Sequence, residues 1–158
     1  MLAPVSAGIL LFRRREAGPE VLLVHPGGPY WTRKDLDAWS IPKGACEAEE
    51  QPLAAAKREF AEETGGTLPD GEFLELGRFR QPSGKIVVAY AVEGDFDPAA
   101  FRSTTFAMEW PRGSGVIRDF PEVDQAVWFN LDEATLKIGK GQKPILRAFL
   151  RAVIDRTG

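Results

Sequence analysis

Cysteine and histidine are almost missing from this chain, each occurring once, as Cys46 and His25. A lone thiol closes no internal disulfide and builds no multi-cysteine zinc site, so the expected setting is reducing and cytoplasmic. Cys46 is read as incidental, and His25, after the apolar run 21–24, as a residue that caps a strand. No apolar stretch approaches the roughly 20 residues that cross a bilayer; the longest, residues 7–12 and 86–92, suit strands. The Met-Leu-Ala-Pro start has no basic segment or small-residue cleavage site, so no secretory signal is expected. Surplus positive charge is missing too. A formal net charge of −3 excludes a global basic field for duplex nucleic acid, so no DNA partner is expected, and an anionic substrate has to be held locally.

What is present fits one globular domain spanning residues 1–158, with 44% hydrophobic and 27% charged residues. Strand-like runs stand at 5–13 and 20–25 around the turn-prone Glu16-Ala17-Gly18-Pro19, and further strands are expected at 73–79, 85–92, 103–110 and 126–130. Residues 26–39, rich in glycine, proline and aromatics, have no periodicity and read as a loop. The clearest helix runs over residues 52–64. Pro52 suits its first turn, Leu53, Ala56 and Phe60 recur at helical spacing, and Gly65 suits its end. A second amphipathic helix is expected at 143–156. The outline is α/β, a mixed sheet with a helix on each side.

On the first helix, Glu59, Glu62 and Glu63 fall at i, i+3 and i+4, which gathers three carboxylates on one face. Like charges at this spacing repel, which is locally unfavourable unless a cation sits among them. Carboxylate oxygens with no histidine or cysteine nearby are the donors that hard divalent ions prefer, Mg²⁺ above all where phosphates complete the shell. A solvated acidic helix face is the plainer alternative for such a triplet alone.

The surrounding residues shift that balance. Gly44, Glu50, Arg58, Glu59, Phe60, Glu62, Glu63 and Gly65 follow the spacing G-x5-E-x7-R-E-U-x-E-E-x-G, and matching its seven fixed letters by chance is on the order of 10⁻⁸ per window. The segment resembles the Nudix box, and the early Ser6-Ala7-Gly8 and the stretch 122–133 resemble the same family. One position departs: Gly66 stands where a bulky apolar residue is usual, and local loosening is expected there. The resemblance implies the Nudix fold, an α/β/α sandwich with a mixed β-sheet, and hydrolysis of a phosphoanhydride in a nucleoside diphosphate derivative.

By the same resemblance, Glu59 and Glu63 are the principal metal ligands, with Glu62 beside them, Glu50 joining when more ions bind, and the carbonyl at or before Gly44 completing the shell. The ion is Mg²⁺, with Mn²⁺ as a substitute. Arg58 holds the box carboxylates in place, a role suited to its always-charged planar fork. Glu122 is the expected distant general base, ahead of Asp119 and Asp124. Lys43 and Lys85 are expected at substrate phosphates, Arg118 less so. Tyr30, Trp31 and Trp39 offer rings for a base, of which at most one or two are expected to touch it, since aromatics are more often core. The Pro42-Lys43-Gly44 form resembles family members acting on dinucleoside polyphosphates, diphosphoinositol polyphosphates and nucleoside triphosphates, more than those acting on ADP-ribose. The partner is a small nucleotide or diphosphate, the chain a monomer or homodimer. A non-catalytic nucleotide-sensing domain is the competing reading, and RNA decapping or RNA pyrophosphohydrolysis is a third, against which the acidic overall balance argues.

Overall fold

The computed structural model describes residues 4–157; the Met1–Ala3 start read above for a signal lies outside them. Strands β1 (Val5–Arg15), β2 (Gly18–Pro26), β3 (Lys43–Ala45), β4 (Leu74–Arg80), β5 (Ile86–Glu93) and β8 (Val123–Asn130) form one sheet in the order β4-β5-β1-β2-β8, with β3 on β1. β1 and β5 run parallel and the other pairs antiparallel, so the sheet is mixed. Strands β6 (Thr105–Glu109) and β7 (Ile117–Pro121) make a separate hairpin. Helices α1 (Pro52–Thr64), α2 (Leu131–Lys137) and α3 (Lys143–Thr157) complete the chain.

The near-continuous apolar runs of β1 and β5 follow from a sheet covered on both faces. Alternate residues divide between two cores. Ile9, Leu11, Val88, Tyr90 and Val92 pack with Ala55, Ala56 and Phe60 of α1. Leu10, Val87, Ala89 and Ala91 pack with Ile145, Leu146 and Phe149 of α3 and with Ala134 and Ile138. Phe60 and Phe149, each 1% exposed, contribute about 1.5–3 kcal/mol apiece by leaving water.

β1 and β2 pair only between Phe12 and Arg15 and then diverge. Residues 40–45 fill the wedge. Ser40 exchanges backbone hydrogen bonds with Val24, the Ile9 N–H donates to the Pro42 carbonyl at 3.0 Å, and β3 pairs with Ser6–Gly8. The segment leading into α1 is thereby fixed beside the sheet's centre. α1 ends where Gly65 turns left-handed, φ 73°, and its N–H donates to the Ala61 carbonyl at 2.8 Å.

Three elements differ from the sequence expectation. β3 and β7 were not expected, and α2 stands where none was read; Asn130 caps it by accepting from the Glu133 N–H at 2.8 Å. The loosening expected at Gly66 is not found. The Phe96 ring stands 2.6 Å from the position a Cβ would take there, so an aromatic from a later loop fills the slot left by the missing side chain.

Candidate functional site

Arg58 lies at the centre of the Glu50, Glu59 and Glu62 carboxylates. Its Nε and Nη2 donate to the two oxygens of Glu50, both at 3.0 Å, and Nη2 also donates to the Ala45 carbonyl at 2.9 Å. Nη1 donates to Glu59 at 3.0 Å and to both oxygens of Glu62 at 3.2 and 3.3 Å. One guanidinium thus ties the loop before α1 to two carboxylates on it. Bonding to Arg58 holds the Glu50 carboxyl well below its usual range, at about 2.

Glu59 and Glu63 stand differently. The Glu59 carboxylate presses against the backbone at Gly44, where an added Cβ would meet its Cδ at 2.0 Å; only glycine admits this approach. Glu63 accepts from the Lys43 backbone N–H at 3.1 Å. Burial pushes the Glu63 carboxyl up to about 8, against the lowering effects of the Lys43 N–H and ammonium. The Glu59 carboxyl is also raised, by burial first and then by the Glu62 charge. Glu122 adds its charge to both, so it faces the same space. It is exposed, and its backbone is pinned by bonds to Thr104 and Gly27.

Glu59 and Glu63, half-buried and with raised pKa, and the exposed Glu122 facing them supply the oxygen donors of this space. Their oxygens are the donor type that a hard divalent cation takes. Among the described residues no three acidic, histidine or cysteine side chains converge as one ligand cluster. The reason is visible in the bonding: Arg58 gathers Glu50, Glu59 and Glu62 on one side, while Glu63 turns toward Lys43. The donor set fits a cation; Glu59 and Glu63 are the carboxylates that burial raises, Glu59 while still bonded to Arg58.

Lys43 is half-buried, and its pKa is lowered by burial, with the Glu63 charge opposing and the Lys85 charge adding. Lys43 therefore stands beside Glu63, with the Lys85 charge acting on Lys43. Tyr30 and Trp31 are 49% and 38% exposed. Trp39 is not available to a ligand in this way: it is 5% exposed, its Nε1 donates to Asp35 at 2.9 Å, and its ring meets His25 and Phe129 edge-on. The ring offered by the sequence as a stacking surface is core. His25 is buried as well, its Nε2 donating to the Lys34 carbonyl at 2.6 Å and its Nδ1 lying 2.8 Å from Asp124. This engages Asp124 away from the carboxylates and anchors the 26–39 loop.

Sequence reasoning passed over the Ala45 carbonyl, the Lys43 N–H, and the β6–β7 aromatics Phe106, Phe120 and Trp110. The alternation Phe106-Ala107-Met108-Glu109-Trp110 carried a signal for the last group, since it places three large side chains on one strand face.

A family model described as NUDIX domain matches residues 2–149. The chain is similar to an 8-oxo-(d)GTP phosphatase of Mycolicibacterium smegmatis, with 29% identity over 86% of this chain and 35% of that protein. It is also similar to an RNA pyrophosphohydrolase of Xylella fastidiosa, with 40% identity over 40% of this chain and 36% of that one. The chain thus spans about a third of the length of these curated relatives. Among solved structures, a C. elegans Ap4A hydrolase in a binary complex superposes with TM-score 0.68 at 20% identity, covering 97% of this chain and 99% of that one.

Proposed function

The chain belongs to the NUDIX domain family, and on that premise we propose that residues 1–158 act as one domain, a Mg²⁺-dependent hydrolase that cuts a phosphoanhydride bond in a nucleoside diphosphate derivative. Dinucleoside polyphosphates and nucleoside triphosphates are the favoured substrates. The observation that carries the reading is the pair Glu59 and Glu63, desolvated carboxylates beside Lys43. A structural acidic surface would leave such groups in water.

Glu59 and Glu63 would hold the ion, with Glu62, Glu50 and the Gly44 carbonyl joining the shell. Bound there, Mg²⁺, or Mn²⁺ in its place, supplies neutralisation of phosphate charge and a water of lowered pKa. The remaining work belongs to the chain. Arg58 restrains Glu50, Glu59 and Glu62 so that their mutual repulsion does not scatter them. Lys43, already desolvated, meets a phosphate oxygen as a point charge, with Lys85 beside it. Glu122, exposed and facing both carboxylates, takes the proton from the attacking water. Tyr30 and Trp31 present open rings to a base; Trp39 has no such part.

Incubation with dinucleoside polyphosphates, nucleoside triphosphates, ADP-ribose and diphosphoinositol phosphates, with Mg²⁺ and with chelator, tests this. Mg²⁺-dependent cleavage of a nucleotide, with products resolved by chromatography, is the expected result. Turnover of nothing in the panel with either metal would overturn it.

A further inference from the structure

The β6–β7 hairpin stands outside the main sheet, with Glu122 at its base. In its register Phe106 faces Phe120 and Met108 faces Arg118, so these side chains and Trp110 share one face. The 28–31 loop runs along that face: the Phe106 ring lies 3.0 Å from the Cβ position of Gly28, and Tyr30 meets Trp110 edge-on with centroids 5.3 Å apart. At about 3.4 Å per strand residue, Arg118 lies roughly 14 Å along the hairpin from Glu122 and the Trp110 tip roughly 20 Å. Tyr30 is 49% exposed, and Trp110 is half-buried. Arg118 is exposed and has no ion-pair partner among the described residues. Arg112, at the hairpin turn, is the same. In a chain of net charge −3, free guanidiniums beside open aromatics form a local patch for a phosphate chain ending in a base.

We propose that this face is a second nucleoside site: Trp110 and Tyr30 stack the far base of a dinucleoside polyphosphate, and Arg118 meets the phosphate bridge leading to it from the carboxylates. The inference rests on the hydrolase reading above and narrows its substrate. Outward from Glu122, beyond the Phe106–Phe120 pair at the hairpin's base, the order is cation, then the Tyr30–Trp110 pair, which is the order of a polyphosphate that terminates in a nucleoside. A nucleoside triphosphate cut at the carboxylates ends on one side in bare phosphate. Turned the other way, its base follows the cut bond too closely to reach the tip. A substrate with a nucleoside at each end fills this place, and a nucleoside triphosphate does not.

The test compares Trp110→Ala, Trp110→Phe and Arg118→Ala with wild type on a diadenosine tetraphosphate and on ATP. For the two-headed substrate, Trp110→Ala is expected to raise KM about tenfold, the weight of one stacked base, with kcat unchanged and Trp110→Phe restoring most of it. KM for ATP should not move. In parallel, tryptophan fluorescence in chelator follows binding of a non-hydrolysable diadenosine tetraphosphate, which wild type should bind more tightly than Trp110→Ala. If wild type cleaves neither substrate but this binding difference persists, the hydrolase reading falls and the second site stands. Equal KM changes for both substrates, or equal binding by wild type and Trp110→Ala, overturn the proposal.

Discussion

Glu63 sits with its carboxyl pushed up to about 8 by burial, against an ordinary value of 4.5. The sign of its linkage follows directly. Between those two values the folded chain keeps a proton that the unfolded chain has released, so stability in chelator falls as pH rises from about 4.5 to about 8 and levels beyond. Glu63→Gln removes the titration but keeps the hydrogen bond from Lys43. In denaturant melts without metal, this variant should therefore show a shallower decline over that window than wild type, the remainder coming from Glu59. Parallel curves would sink the argument. With Mg²⁺ present, the same substitution should lower turnover by more than the roughly 10–100-fold typical of losing a residue behind a metal ligand. Arg58 supplies the complementary test. Lysine cannot reproduce a fork that reaches Glu50, the Ala45 carbonyl, Glu59 and Glu62 together. Arg58→Lys should cost roughly 2 kcal/mol in chemical denaturation, and a neutral result would show that these bonds contribute little.

At the scale of elements, the meeting of β3 with α1 decides how the carboxylates are presented. Gly44 on β3 leaves room for Glu59 on α1, and a methyl group placed there would fall 2.1 Å from Oε2. Gly44→Ala should leave the fold intact, since β3 is only three residues long, yet displace Glu59. The expected signature is a normal far-UV circular dichroism spectrum with loss of the Mg²⁺-induced rise in Tm; retention of that rise would refute the packing account. This juncture also shows what the sequence made legible. Pro52 and Gly65 bracket α1 because each acts through its own backbone geometry, and the apolar runs of β1 and β5 announce strands buried on both sides. β3 was hidden because nothing local makes Lys43-Gly44-Ala45 extended; its pairing with Ser6–Gly8 does. β7, short and largely exposed, lacks the alternation that betrays its partner β6. α2 is only seven residues, but Asn130 followed by Glu133 was a cap signal open to reading. The carboxylates of the candidate site were legible as a set through their spacing. Trp39 was not legible as core, because a tryptophan in a loop-like stretch shows its burial only once His25 and Phe129 pack against it.

For the whole molecule, the two faces of one sheet have different tasks. Phe149 and its neighbours on α3 bury apolar surface, while on the other face α1 must bury Phe60 and also keep desolvated acids together. On the proposed reading, fold stability and cation binding are coupled through the same helix. A cation that binds only the folded chain at a hundred times its dissociation constant adds about 2.7 kcal/mol, worth roughly 5–10 °C in a chain of this size. The shift should depend on pH, because below about 8 the ion must first displace the proton that burial keeps on Glu63. Differential scanning calorimetry across a Mg²⁺ titration should thus show a larger rise in Tm near pH 8 than near pH 6, with weaker apparent affinity at the lower value. In Glu63→Gln no proton remains to be displaced there, so that variant should lose most of the pH dependence together with much of the shift. An equal rise at both pH values in wild type would mean that the cation binds away from Glu63, and the assignment of Glu63 as a principal ligand would fall with it.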